Sequence, residues 1–206
     1  MLTTNEDKIA YCIGADMARQ VLGFGENLSS EALIAGMNDM LAQQELQLPP
    51  EVIQRTLQEF HQRMQEKAKT HMEGLAKTNM DEAVAFLNTN KAKDGIETTE
   101  SGLQYKVWTE GEGDSPAAEA KVKVHYEGKL ANGTVFDSSY KRGEPAAFAL
   151  NQVIKGWTEG LQLMNTGDKF EFYIPSELAY GTRGSRSIPP NSTLIFTVEL
   201  LEIVKK

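Results

Sequence analysis

The apolar positions of the first half of the chain recur at helical spacing. Four of them, from Ile9 to Val21, lie about four residues apart and form one stripe, which predicts a first helix. A pair of glycines follows and ends it. Ser29 or Ser30 caps a second helix, whose apolar face begins at Leu33. Each of these short helices therefore carries one apolar face that has to be covered.

A third helical segment is predicted from residue 51 to about residue 93. It follows a proline pair, which the first turn of a helix tolerates because the amides there have no intrahelical partner. Gly74 is its only glycine. At about 1.5 Å per residue such a helix is about 60 Å long. The stretch from His61 to Asp81 is so polar that we expect it to run through solvent.

These three helices make a thin core for so long a segment, and a second copy of the chain is the simplest way to complete it. We therefore expect a homodimer formed through the N-terminal helices. Seven of the eight methionines lie in this half, six of them after the initial Met1. Methionine packs adaptably, so two interpretations stay open: these side chains fill the core and the dimer interface, or they form a surface that binds client proteins.

After Gly95 the apolar period changes from helical to alternating. Val122, Val124 and Tyr126 alternate with polar residues, and Asn132-Gly133 then gives a strong hairpin signal. Alternation returns at residues 170–174 and 194–200. Between the hairpin and residue 170, residues 157–164 leave room for only one short helix, with Leu161 and Met164 facing inward. The prediction is an α+β chain with an all-helical dimerisation domain over residues 1–95. An antiparallel sheet wrapped on one short helix follows over residues 96–206.

Charge argues against nucleic-acid binding. The net charge is −8, and residues 1–100 hold 9 basic against 16 acidic side chains, a net of −7. Nucleic-acid-binding proteins instead show clustered Lys and Arg along the phosphate track. No segment approaches the roughly 18 apolar residues of a membrane-spanning helix, so no membrane partner is expected.

Cysteine use and the N-terminal residues bear on the compartment. Cys12 is the only cysteine, so no disulfide forms within the chain, which suits a reducing environment. The N-terminus lacks the basic start and apolar run of a signal peptide. A cytoplasmic location is the expectation, or a periplasmic one if the sequence is that of a processed chain.

Hydrolytic and metal chemistry find little support in the sequence. His61 and His71 are ten residues apart on a helix, too far for a shared metal site, and His125 lies on the charged face of a strand. No serine stands in a nucleophile-elbow sequence, and Cys12 lies in an apolar helix stripe. We expect neither a metal nor a cofactor.

Aromatic residues of the second half are the remaining candidates for a binding site. Taken alone, such residues are ordinary core, and a ligand pocket is the alternative. The set comprises Tyr126, Phe136, Phe148, Trp157, Tyr180 and Phe196.

Six short motifs in this half together resemble the FKBP family of macrolide-binding prolyl isomerases. In chain order they are Val124-His-Tyr-Glu-Gly128, Gly133-Thr-Val-Phe-Asp-Ser-Ser139, Val153-Ile-Lys-Gly-Trp157, Ala179-Tyr-Gly181, Ile188-Pro-Pro190 and Leu194-Ile-Phe196. The resemblance extends from about Thr98 to the C-terminus. The first half is similar to the macrophage infectivity potentiator (Mip) branch, in Tyr11-Cys-Ile-Gly-Ala-Asp-Met17 and in its long third helix.

The resemblance implies a peptidyl-prolyl cis-trans isomerase whose pocket receives a prolyl ring on Trp157. It implies that the Ile154 amide and the Tyr180 hydroxyl donate hydrogen bonds to the bound chain. Asp137, held by Tyr126 and Arg142, is implied near the rotating carbonyl. The substrate-binding walls it implies, beside Ile154 and Tyr180, are Tyr126, Phe136, Phe148, Val153, Ile188 and Phe196.

The sequence departs from the family pattern at two places. Ala146 replaces an aromatic wall residue, so we expect that side of the pocket to be more open. The loop from Thr182 to Ser187 is about one residue short and lacks a histidine found in some relatives. Both changes bear on the affinity for a macrolide inhibitor, which the resemblance implies as a partner of the pocket.

Two functions follow from the resemblance. The leading one is acceleration of X-Pro bond rotation in folding protein clients, with the helical domain recruiting or positioning them. The alternative is a chaperone-like, client-binding protein in which isomerase activity is secondary. Assays of both activities on the separated halves distinguish the two.

Overall fold

Three helices precede an antiparallel sheet in the computed structural model, which describes residues 2–204. They are α1 (Asn5–Gly23), α2 (Ser30–Leu41) and α3 (Pro50–Asn90). Ser29 caps α2 by accepting a hydrogen bond from the Ala32 N–H at 3.2 Å. The third helix is 41 residues long and ends slightly before its predicted end, because turns lead from it to Gly95, whose φ is +75°.

Seven strands form the sheet, and every pairing is antiparallel, as predicted. The order is β1-β2-β6-β7-β3-β4, and β5 also pairs with β3. A one-turn helix α4 (Ser139–Arg142) lies between β4 and β5, and the short helix α5 (Lys155–Gln162) lies between β5 and β6. The strands are β1 (Ile96–Thr98), β2 (Gln104–Thr109), β3 (Lys121–Leu130), β4 (Val135–Ser138), β5 (Ala146–Ala149), β6 (Lys169–Ile174) and β7 (Leu194–Val204).

The core lies between α5 and one face of the sheet. Leu161 and Met164 are fully buried there, as their predicted inward positions require. Two glycines let α5 approach the strands closely. A Cβ atom at Gly160 would lie 2.6 Å from the Phe172 ring, and one at Gly156 would lie 2.5 Å from the Ile174 side chain. Because α5 packs so closely on the strands, the residues at its start are held in fixed positions.

Strand β3 pairs along one edge with two strands in succession. Its first half pairs with β5 and its second half with β4, after the predicted hairpin at Gly133, whose φ is +88°. The segment between β4 and β5 leaves the sheet and carries α4. Side chains at the end of β4 and on α4 are therefore held beside the middle of β3.

The chain forms two compact units, one through Lys69 and one from Thr70 onward. The second half of α3 thus belongs with the sheet, which it contacts through Phe86 and the buried Asn90. The boundary predicted after residue 95 concerns which segments fold by themselves, and it stays a prediction.

In the first unit no residue from 2 to 69 is buried. An apolar groove of about 710 Å³ lies between α1 and α2. Its lining consists of Ala10, Ile13, Gly14, Met17, Ala32, Leu33, Gly36, Met37, Met40 and Leu41. No helix within residues 2–204 combines the length and apolarity needed to cross a membrane.

Candidate functional site

The second unit contains a cavity with a tryptophan at its base. Trp157, on the first turn of α5, is only 4% exposed. Three aromatic rings meet it edge to face, those of Tyr126, Phe148 and Phe196, with centroids 5.2 to 5.3 Å away. This geometry is the favourable one for aromatic pairs, and it fixes the indole plane as a flat apolar surface.

The cavity has a volume of about 720 Å³ and brings together ten of the eleven site residues named from the sequence. The eleventh, Arg142, contacts the edge of the site through Asp137. The ten lining residues are Tyr126, Phe136, Asp137, Phe148, Val153, Ile154, Trp157, Tyr180, Ile188 and Phe196.

A polar cluster borders this apolar cavity on one side. The Tyr126 hydroxyl donates to Asp137 Oδ2 at 2.5 Å, and Arg142 donates both to Asp137 Oδ1 and to the Tyr126 hydroxyl. The Arg142 guanidinium also lies over the Tyr126 ring, 5.6 Å from its centroid. The cluster is positioned by β3, the end of β4 and α4, which the excursion from the sheet places side by side.

The groups of this cluster keep their protonation states around neutral pH. Burial acts most strongly on Asp137 and would raise its pKa, but the hydrogen bonds from Tyr126 and Arg142 outweigh it, so that pKa lies below its usual value. Burial and the neighbouring Asp137 raise the pKa of Tyr126. At neutral pH the carboxylate is therefore ionised and the phenol neutral.

Hydrogen-bond donors without a partner face the same region. The Ile154 N–H, just before α5, makes no hydrogen bond within residues 2–204, and neither does the Tyr180 hydroxyl in that range. The buried Trp157 Nε1 also lacks a partner there. Leaving the buried indole N–H unpaired is costly, whereas the Ile154 N–H and the Tyr180 hydroxyl belong to partly exposed residues. All three donors are therefore available to carbonyl groups of a ligand.

Five lining residues were not named from the sequence as site residues. Lys155 and Ala179 stand within two of the motifs and Gln152 directly precedes one, whereas Ser185 and Ser187 lie in the loop that departs from the family pattern. Only a position in or beside a motif could have suggested them. They are polar or small, and neither property marks a wall residue.

Gly128 makes the aromatic wall possible without lining it. A Cβ atom there would lie 2.6 Å from the Phe196 ring and 2.7 Å from the Phe136 ring. These two rings pack edge to face at 5.5 Å over the glycine. Ala146 is not among the lining residues; it is the first residue of β5 and pairs with Val124 of β3. The expected opening on its side of the pocket stays a prediction.

Family comparisons cover both parts of the chain. The model described as FKBP-type peptidyl-prolyl cis-trans isomerase matches residues 113–201. The model described as the domain amino terminal to FKBP-type peptidyl-prolyl isomerase matches residues 6–107.

Individual relatives match along nearly the whole length. The chain is 48% identical over 203 residues to the FKBP-type 22 kDa peptidyl-prolyl cis-trans isomerase of Escherichia coli K12, covering 98% of this chain and 97% of the relative. It is 41% identical over 206 residues to the peptidyl-prolyl cis-trans isomerase Mip of Coxiella burnetii, covering 100% and 90%. Among solved structures, FkpA from Escherichia coli superposes with a TM-score of 0.78 at 38% identity, covering 98% of both chains.

Proposed function

This chain belongs to the FKBP-type peptidyl-prolyl cis-trans isomerases, and we propose that the aromatic cavity on Trp157 is where it accelerates rotation about X-Pro bonds. The resemblance stated from the motifs is thereby confirmed for the family, the fold class and the type of enzyme. The roles of individual residues are our proposal. One observation carries them: an indole enclosed by three rings at the base of a cavity lined by ten of the site residues named from the sequence.

The chemistry asks little of the protein beyond shape and polarity. Rotation about a peptide bond is opposed by about 18–20 kcal/mol of barrier, because the planar amide is stabilised by resonance. The twisted amide has lost the charge separation of that resonance and is less polar. A water-poor aromatic cavity therefore favours the twisted form over the planar one, and that difference lowers the barrier.

The polar groups hold the chain in place while it rotates. In this proposal the Ile154 N–H and the Tyr180 hydroxyl donate to carbonyls of the substrate, since both are unpaired. Asp137 lies at the cavity edge with its charge held by Tyr126 and Arg142. It contributes an electrostatic bias at the rotating carbonyl rather than a proton, because no covalent bond is made or broken.

Two substitutions test the assignment, with the second tryptophan as a control. Trp157→Ala removes the base of the cavity and is expected to lower kcat/KM on a proline peptide at least tenfold. Tyr180→Phe removes one hydroxyl from a side chain that is 42% exposed, so the fold is retained and a loss of severalfold is expected. Trp108→Ala, at an exposed position outside the cavity, should leave activity unchanged. A protease-coupled assay measures all three.

Removing a buried tryptophan costs roughly 3–5 kcal/mol, so Trp157→Ala has to be checked for folding by circular dichroism. Tyr180→Phe carries no such risk and keeps the test decisive. Full activity in both folded variants would exclude this cavity as the site.

We further propose that the first unit is completed by a second copy of this chain. A segment of 68 described residues with no buried side chain lacks the core that a stable domain needs. Its apolar groove is lined almost wholly by Ile, Leu, Met, Ala and Gly from α1 and α2. Pairing two such faces removes both from water at roughly 25 cal/mol per Å² of apolar area. The alternative is the second interpretation of the methionines, in which this surface binds client proteins.

Clients, inhibitor and compartment belong to the proposal as well. The substrates we propose are proline-containing segments of folding proteins, with a macrolide as an inhibitor that competes for the same cavity.

A cytoplasmic location is not supported by the relatives, one of which is named an outer membrane protein in Legionella longbeachae. Fractionation of cells into cytoplasm and periplasm decides the compartment.

A further inference from the structure

Two side-chain amides join α3 to the loop that precedes β7. Asn79 Nδ2 on the helix donates to the Pro190 carbonyl at 2.7 Å, and Asn191 Nδ2 on the loop donates to the Ala76 carbonyl at 2.9 Å. We call these two reciprocal bonds the helix–loop clamp, and residues 181–193 the rim loop. The clamp lies wholly within the second unit.

The rim loop carries part of the cavity wall. Ile188, which lines the cavity, is 4% exposed, and Tyr180 lies directly before the loop. Within the loop the Asn191 N–H donates to the Gly181 carbonyl at 3.0 Å, and the Ser185 N–H donates to the Ile188 carbonyl at 2.7 Å. One residue, Asn191, therefore bonds both to α3 and to the backbone adjoining Tyr180.

The loop holds this shape against local preference. Asn191 has a φ of +55°, in the left-handed region that only glycine adopts freely and asparagine tolerates. Thr193 is 2% exposed, and its Oγ1 has no partner within residues 2–204. Such features persist when the surrounding structure enforces them. The two bonds to α3 supply that enforcement from outside the loop.

We propose that the last part of α3 is a structural component of the catalytic site, with Asn79 and Asn191 as positioning residues. They touch no substrate. They act through the rim loop, by fixing where Ile188 and the Tyr180 hydroxyl stand relative to Trp157. The inference rests on the proposed cavity and adds to it a role for a helix that the motifs assign to the other domain.

The consequence for catalysis is one of geometry. Displacing the Tyr180 hydroxyl and Ile188 weakens contacts that hold the substrate in its planar and its twisted form alike, which is a loss of uniform binding. Loosening the clamp leaves Trp157 and its three rings in place, so the cavity still favours the twisted amide. We therefore expect weaker binding of the planar substrate to dominate, seen as a raised KM with kcat changed less than twofold.

The test uses the full chain with three substitutions and a control on the same helix. Asn79→Ala removes one clamp donor while favouring the helix, and Asn79→Asp keeps the shape but cannot donate. Asn191→Gly removes the other donor and relieves the left-handed strain. Asn88→Ala makes the same change at an exposed position of α3 whose side chain makes no hydrogen bond within residues 2–204.

The expected result has two parts. KM for a short proline peptide rises at least threefold in each clamp variant and stays at the wild-type value in Asn88→Ala. In the Asn79→Ala, Asn191→Gly double variant KM rises by less than the product of the two single increases, since both substitutions break the same helix–loop clamp. Amide hydrogen exchange at residues 181–188 speeds up at least tenfold, while exchange in β3 and β7 is unchanged.

Hydrogen exchange also separates this inference from the cavity assignment. Unchanged exchange at residues 181–188 in the clamp variants overturns the clamp, whatever the activity of the wild type. Faster exchange with an unchanged KM also overturns it, because the loop would then be mobile without effect on the site.

Discussion

Asp137 shows how a charged side chain serves an apolar cavity. It is held by a phenol on one side and a guanidinium on the other, and its own side chain stays 42% exposed. An ion pair so exposed contributes little to folding stability, because water screens it. Its arrangement instead fixes a negative charge at the edge of the cavity over a wide pH range.

The pH dependence follows from the two shifted groups. The pKa of Asp137 is lowered in the folded protein, so its ionised form contributes to folding stability. That contribution is fully present above the usual aspartate pKa of about 4 and is lost as the pH falls through the folded-state pKa. Tyr126 has a raised pKa, so its effect is complete below about 10 and is lost as the pH rises through the folded-state value. We expect kcat/KM to stay constant between pH 5 and 9 (about 1 unit inside each limit).

Asp137→Asn tests whether the charge itself matters. The amide keeps the shape but not the charge, and we expect a loss in kcat/KM of about two- to fivefold, smaller than for Trp157→Ala, with the pH profile still flat. A protease-coupled assay across the pH range measures both. A loss larger than that of Trp157→Ala would contradict a mechanism in which desolvation and fit dominate.

At this scale the sequence revealed the apolar residues better than the polar ones. Trp157 and its neighbours belong to motifs whose order is diagnostic, and the structure brings them to one cavity. Asn79 and Asn191 stood in no motif, since an asparagine on a polar helix resembles any solvated residue. Their partners are 111 and 115 residues away in the chain, and no periodicity reports such contacts.

At the scale of elements, α3 lies in two different environments. Up to Lys69 it belongs to the first unit, where Glu26 pairs with Lys67 and Arg63. Beyond it, the helix packs on the sheet: Gln104 donates to the Leu87 carbonyl at 2.9 Å, and the fully buried Asn90 donates to Gln104 at 3.0 Å. The polar stretch from His61 to Asp81 was predicted to run through solvent, and none of its residues is buried. The polar groups that α3 buries in pairs lie after this stretch, in its last turns.

This packing predicts different stabilities for two fragments. We expect residues 96–206 to fold alone, because they contain every strand and α5, and to act on short peptides. Residues 70–206 should be more stable by about 2–4 kcal/mol, chiefly from four hydrogen bonds at about 0.5–1 kcal/mol each, with the Phe86–Tyr173 contact beside them. Urea unfolding of both fragments measures the difference.

The comparison also decides where the domain ends. Equal stabilities would mean that the helix contributes no folding energy to the sheet, in agreement with a boundary after residue 95. A fragment 96–206 that does not fold would make residues 70–95 part of the catalytic domain.

At the scale of the whole molecule, the sequence and the structure agree that the N-terminal helices have little core of their own. The thin N-terminal core expected from three apolar stripes is, in the structure, a unit in which no residue from 2 to 69 is buried. Fold class and family could be predicted, because periodicity and ordered motifs are local properties. The homodimer expected from the thin core stays a prediction, since an apolar stripe can serve a second copy or a client equally well.

A single charge placed in the groove separates these two uses. Ile13 lines the groove from α1, and Ile13→Asp would bury an unpaired carboxylate if two copies meet there, which is strongly unfavourable. Tyr11→Asp is the control, an apolar-to-acidic change at an exposed position of α1 outside the groove. Light scattering at micromolar concentration should give twice the chain mass of 22.8 kDa for the wild type and Tyr11→Asp, and the single mass for Ile13→Asp.

The same variants show what assembly contributes to function. On a short proline peptide Ile13→Asp should match the wild type, because the cavity lies wholly in the second unit. On a protein whose refolding waits for a proline, its rate enhancement should fall at least threefold, since two linked sites hold a client longer than one. A wild type that scatters as a monomer would remove the dimer. A monomeric Ile13→Asp with full refolding activity would leave the dimer but remove its role in holding clients, because capture would then need only one catalytic unit.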